Sequence, residues 1–164
     1  MATSRWADVV NQLVALMRLT SGYREPIIPG TGRPVYDGPE FPGSDYATEP
    51  EGLIIGWSSG DEGGVGTQSP IVMAANVNPR DEEATVRCLA WAAYGDDMNN
   101  TRASAFSILA DVETLLRTDS DLSLTSSSGF RHATVSSFRV RQRGTTNGFV
   151  VEIEFDVTFT ARLL

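Results

Sequence analysis

The sequence predicts a single α+β domain of 164 residues: a mostly antiparallel sheet with a long C-terminal β-hairpin packed against two helices. Three observations predict it. Residues 149–163 alternate strictly between apolar and polar side chains, the period of a strand with one dry face. Two segments carry apolar residues at spacings of three and four, the period of helices with one buried side. Residues 83–94 are apolar on both alternations, as a strand covered on both faces must be. A chain of this length holds one core comfortably, so 1–164 is read as one domain.

Taken in order, Trp6, Val9, Val10, Leu13, Leu16 and Met17 share one face of a first helix. Thr3 or Ser4 suits its start, Asp8 its positive end and Gly22 its close. Residues 23–50 then hold six of the eight prolines, interleaved with Gly30, Gly32, Gly38 and Gly43. Such density forbids a long helix or central strand, so a flexible loop is expected, with a short edge strand at Arg33–Asp37. Residues 53–57 read as a buried strand, 58–70 as a second flexible loop containing Gly60, Gly63, Gly64 and Gly66, and 71–75 as a short apolar strand. The strand over 83–94 belongs in the middle of the sheet. The second helix spans about 99–117, with Phe106, Leu109, Ala110, Val112 and Leu116 forming its apolar band. Ile108 and Leu115 widen that band beyond what one sheet face needs, which marks them as candidates for contact with a neighbouring subunit.

The hairpin has a predicted register. Asn147-Gly148 is the strongest two-residue turn signal in the chain. With these residues at the turn centre, Arg143 faces Glu152, Arg141 faces Glu154 and Arg139 faces Asp156. On the other face Val140 meets Phe155 and Phe138 meets Val157. A one-residue slip destroys both sets. Val135 falls off the alternation, which predicts a bulge near Ser136-Ser137.

Composition excludes several functions. The net charge of −8 argues against a protein whose task is to grip nucleic acid phosphates. All thirteen basic residues are arginine, so chemistries that need a lysine amine, Schiff bases and P-loop phosphate sites among them, lack their reagent. No apolar run approaches the roughly 18 residues of a membrane span, and the first residues carry no signal-peptide core. A single cysteine, Cys88, suits a reducing compartment.

No active site is legible. The one histidine, His132, stands at a strand start with no nucleophile motif around it, and Cys88 lies in an apolar strand where an inert thiol is expected. One His and one Cys do not make a transition-metal site. The carboxylate pairs Asp96-Asp97, Asp119/Asp121 and Glu82-Glu83 abut element ends and read as caps and turn formers; Asn99-Asn100-Thr101 reads as the cap of the second helix. Neither catalytic residues nor cofactor nor metal are expected. The candidate residues are those of an interface or a lumen wall: Arg139, Arg141, Arg143, Glu152, Glu154 and Asp156 on the ribbon, with Ile108 and Leu115 on the helix.

The order of elements, the run 86–96 (VRCLAWAAYGD), then Arg102, 106–113 (FSILADVE), 116–119 (LRTD) and the closing Ala161-Arg162-Leu163, resembles the tail terminator proteins of long-tailed bacteriophages that infect actinobacteria. The loop over 23–50 departs from that pattern, and Leu122-Ser123-Leu124 stands where glycines are expected. The resemblance implies a structural virion protein of the tail and neck, assembled in the host cytoplasm. It would form a homo-oligomer, a hexameric ring that caps the tail tube, ends its polymerisation and joins it to the head. Its partners would be the tail tube protein and a head-completion or connector protein, with DNA passing through unbound. The alternatives are another neck protein, head-closure or tube subunit, and a monomeric binding module.

Overall fold

In the computed structural model, residues 4–28, 30–38, 49–57, 64–70, 80–94, 97–124 and 129–163 are described. Their elements, in order, are α1 (Trp6–Leu19), β1 (Tyr23–Arg24), β2 (Arg33–Asp37), β3 (Glu51–Ile55), β4 (Gly64–Pro70), β5 (Arg80–Tyr94), α2 (Met98–Thr118), β6 (Phe130–Thr145) and β7 (Gly148–Leu163). The strands form one sheet in the order β1-β2-β3-β5-β7-β6, with β4 also on β5. The β1–β2 and β2–β3 pairs are parallel and the rest antiparallel. This is the α+β arrangement that the periodicities predict, with the long hairpin β6–β7 at one end of the sheet.

β5 is the central strand because both of its alternations are apolar. It pairs with β7 along its whole length on one side, and with β4 and then β3 on the other. Val86, Cys88, Ala90 and Ala92 face the main core with Val151, Ile153, Phe155, Val157 and Phe159 of β7. Both helices cover that face: α2 lies over β5, β6 and β7, and α1 packs beside it on β1, β2, β3 and β5. Val9, Leu13 and Met17 of α1 and Ile108 and Val112 of α2 are buried there.

Helix ends are tied to the sheet by the residues read as caps. Asp97, one of the carboxylates read as caps, caps α2 by accepting from the Asn99 and Asn100 amides at 2.8 and 3.3 Å, while Asn99-Asn100-Thr101, also read as the cap, lies within the first turn. At α1, the buried Glu82 of β5 accepts from the Ser4 hydroxyl and from the Arg5 amide (2.8 Å). A carboxylate at a helix N-terminus satisfies orphan amides and complements the dipole. Asp119 and Asp121 close the turn after α2 by accepting from the Ser123 amide at 2.8 and 3.2 Å. Leu122 and Ser123 there both adopt φ +53°, the left-handed conformation for which glycine is expected. Full burial of the Leu122 side chain and the Ser123–Asp119 hydrogen bonds hold the turn without it.

Four sequence expectations change. Residues 64–70, expected as loop, form β4 against β5 despite two glycines, because the β5 edge supplies hydrogen-bond partners that propensity ignores. Within 23–50, β1 joins the expected strand β2; residues 39–48 and the strand expected at 71–75 lie outside the described residues. Ile108 is not a surface residue: its side chain is fully buried in the core, and Leu115 is partly buried against it.

The fourth change is the hairpin register. The turn residues are Thr146-Asn147, with Thr145 facing Gly148, so Arg141 faces Glu152, Arg139 faces Glu154 and Phe138 faces Phe155. An Asn-Gly centre needs positive φ at both residues, but here the left-handed step falls on Gly148 alone (φ +121°). Thr145 fixes that choice, its hydroxyl donating to the Gly148 carbonyl (2.9 Å) and accepting from the Asn147 amide (3.2 Å). The shift is two residues in pairing, so every side chain keeps its face. The expected bulge lies between Val135 and Ser137, and a second between Phe130 and His132.

Candidate functional site

The ribbon's second face, turned away from the helices, gathers the six charged residues picked out from sequence. From Ser137 onward the odd positions of β6, and the even positions of β7, point this way; before the bulge the parity of β6 is reversed, so that Ala133 and Val135 face the core. Arg141 pairs with Glu154 at 3.0 Å and Arg143 with Glu152 at 3.1 Å. These are two of the three expected pairs, made diagonally across the ladder, which long side chains reach. The third, Arg139 to Asp156, does not form. The bulge brings Ser137 opposite Asp156, and the Ser137 hydroxyl donates to its carboxylate at 2.9 Å. Arg139 has neither ion pair nor hydrogen bond to another described side chain.

Beside the ribbon the same face is concave. A cavity of about 360 Å³ is lined by Trp57, Arg87, Ser137, Arg139, Glu154 and Asp156. Arg87 of β5 faces Asp156 across the ladder, and Trp57 is anchored by its amide to the Arg87 carbonyl at 2.8 Å. Further along this face, Ile54, Leu89 and Trp91 make a second apolar cluster with Tyr36 and Trp57 against it. Trp91 is fully buried; its indole donates to the Glu49 carbonyl at 3.1 Å and its ring lies 5.9 Å from that of Tyr36. Gly52 makes room for it, since a Cβ there would meet the indole at 2.4 Å. Trp57, Arg87 and this cluster were missed as site residues. Their signal was the second apolar alternation of 83–94, which says that a face is covered but not by what.

The sheet's other end carries a network of different character. Tyr23 donates to Asp111 at 2.7 Å, and Arg33 reaches both Glu51 (3.0 Å) and Asp111 (3.4 Å). Burial, reinforced by the Asp111 hydrogen bond, pushes the Tyr23 hydroxyl well above its ordinary pKa. At the β5–β7–β6 seam, hydrogen bonding from Arg162 and the charges of Arg162 and Arg131 hold Asp81 below the usual carboxylate range.

The two other candidate reactive groups, Cys88 and His132, lie on different strands, β5 and β6. Cys88 is buried, which pushes its thiol up and keeps it protonated. His132 is exposed on β6, with Nδ1 3.3 Å from the Thr160 hydroxyl. Among the described residues, no group of three His, Cys, Asp or Glu is placed to hold a metal ion, and no helix is long and apolar enough to cross a membrane. The charged face offers guanidinium donors beside carboxylate acceptors, held in place by the β6–β7 pairing. No protein-family model and no curated protein sequence matches the chain.

Proposed function

We propose that the chain is a non-enzymatic structural subunit of a bacteriophage tail. It assembles as a ring on the last turn of the tail tube, ends tube polymerisation and joins the tail to the head. The observation that carries this reading is the helix-free, charge-laddered face of the β6–β7 ribbon, joined to the terminator-like run 86–96. A ring subunit needs a wall that passes DNA without holding it. The chain's net charge of −8 repels phosphate, and Arg141 and Arg143 are engaged by carboxylates of β7. It also needs rigid faces toward its neighbours, which strands supply better than loops. On this reading the protein resides in the virion neck, and its axial partners are the tail tube protein and a head-completion or connector protein.

The test is a tube-capping assay. Purified protein is added in increasing amounts to polymerising tube protein from the same phage, and tube lengths are measured by negative-stain electron microscopy. The reading predicts shorter tubes with a single terminal ring. Stacked rings of this protein alone would favour a tube subunit instead. Unchanged tube lengths at saturating protein would overturn the capping role.

A further inference from the structure

Among the described residues, the large apolar side chains left more than half exposed are Leu19, Ile27, Ile28 and Phe138. They fall at opposite ends of the sheet. Leu19 ends α1, and Ile27 and Ile28 follow β1, the strand at one end of the order. The Arg18–Glu25 ion pair (3.4 Å) holds the end of α1 against the turn that carries the two isoleucines. Phe138 lies on β6, the strand at the other end. Phe106 of α2 meets its ring edge-on at 6.0 Å, and the half-buried Val135 and Val140 flank it, so this apolar rim is held in place. Over 135–145 no described strand pairs with the outer edge of β6, which leaves backbone groups that a neighbouring chain can engage.

The two ends also carry opposite charge at their surfaces. β6 has four arginines and no carboxylate, so the rest of the chain, whose total is −8, carries −12. In the β6 ion pairs the arginine is the outward member: Arg141 is 54% exposed against 19% for Glu154, and Arg143 and Glu152 divide alike. At the β1 end the acid is outward: Glu25 is 44% exposed against 27% for Arg18, and Asp111 42% against 20% for Arg33. One end thus presents an apolar patch on the helix face of β6 with outward guanidinium groups on the other face of the same edge strand, and the other end an apolar patch with outward carboxylates beside it.

We infer that the β6 rim of one subunit, centred on Phe138, docks on the β1 end of a second copy, centred on Ile27 and Ile28. Unlike patches at opposite ends make a head-to-tail contact, which closes when the rotation per subunit allows it. Opposite rims set the approach and the register, and the apolar centres supply the affinity. This seam rests on the ring reading above and assigns its lateral surface.

The test uses two variants, Phe138→Asp and Ile27→Asp with Ile28→Asp, measured by native mass spectrometry and analytical ultracentrifugation. All three side chains are exposed, so far-ultraviolet circular dichroism should match wild type; Gln substitutions at the same positions give a second, uncharged set. Wild type should form a closed oligomer that loosens with added salt. Each variant alone should be monomeric, its association weakened about a hundredfold or more. Mixed, the two should give a one-to-one heterodimer and nothing larger, because only one live rim and one live end remain. Oligomers that persist in both variants, a mixture that yields no heterodimer, or wild type that stays monomeric at millimolar concentration would each overturn the seam. Persisting rings would leave the capping reading intact, whereas failure to cap tubes would sink that reading without touching a measured heterodimer.

Discussion

Glu82 offers a sharp test of how α1 is attached to the sheet. Its carboxylate is buried at the start of β5 and is met by the Ser4 hydroxyl and by the Arg5 amide at 2.8 Å. Glu82→Ala removes two charge-assisted hydrogen bonds, each worth about 1.5–3 kcal/mol, and a favourable helix-dipole contact of about 0.3–1 kcal/mol. Part of this returns, because Ser4 is exposed and can bond to water. The net expectation is a loss of about 2–3 kcal/mol. For a chain of this size that lowers Tm by roughly 4–12 °C. The assay is urea and thermal unfolding followed by circular dichroism, in the Ile27→Asp, Ile28→Asp background so that self-association does not enter. Glu82→Gln keeps the shape but turns one oxygen into a donor that opposes its neighbours, so it should recover less than half of the loss. A Glu82→Ala variant within about 0.5 kcal/mol of its parent would show that the carboxylate does not anchor the helix.

Three further outcomes follow from the packing and the charges. Ile108→Ala should cost about 2–5 kcal/mol of protomer stability, read by the same urea unfolding, because the side chain is fully buried; an effect on oligomer mass alone would return Ile108 to an interface role. A double-mutant cycle on Arg141 and Glu154 should give a coupling of about 0.2–1 kcal/mol, since the arginine is solvated; a coupling several times larger would mean the ladder does more than set register. Asp81 has a folded-state pKa below its unfolded value, so its stabilising effect is present above about pH 4 and is lost as pH falls through the lowered value. Asp81→Asn should therefore flatten the acid limb of a stability-against-pH curve, and an unchanged limb would assign that slope to other carboxylates.

Most of the fold was legible because it rests on periodicity. β7 alternates without a break from Val151 to Leu163, and β5 and β6 pair along it on either side. The helices were readable from their apolar faces, but Ile108 was assigned to the wrong neighbour. A helical wheel tells which side is apolar, not how deeply a sheet and a second helix wrap it. β4 was hidden because its strand character comes from the open edge of β5, a property of the partner. The hairpin register missed by two residues because Asn-Gly outweighed Thr145 in the reading, whereas Thr145 closes the turn. The faces survived that error, so the charged ribbon was recovered with two of its three pairs intact. The cavity beside it was not legible, since Trp57, Arg87 and Asp156 are brought together only by β3–β5–β7 pairing.

The capping role is tested most directly by where the protein sits on assembled tails. Gold-labelled antibody against this chain, viewed by electron microscopy on intact virions and on detached tails, should mark one site per tail, at the end that meets the head. Label spread along the tube would make the chain a tube subunit, and virions without label would remove it from the particle altogether.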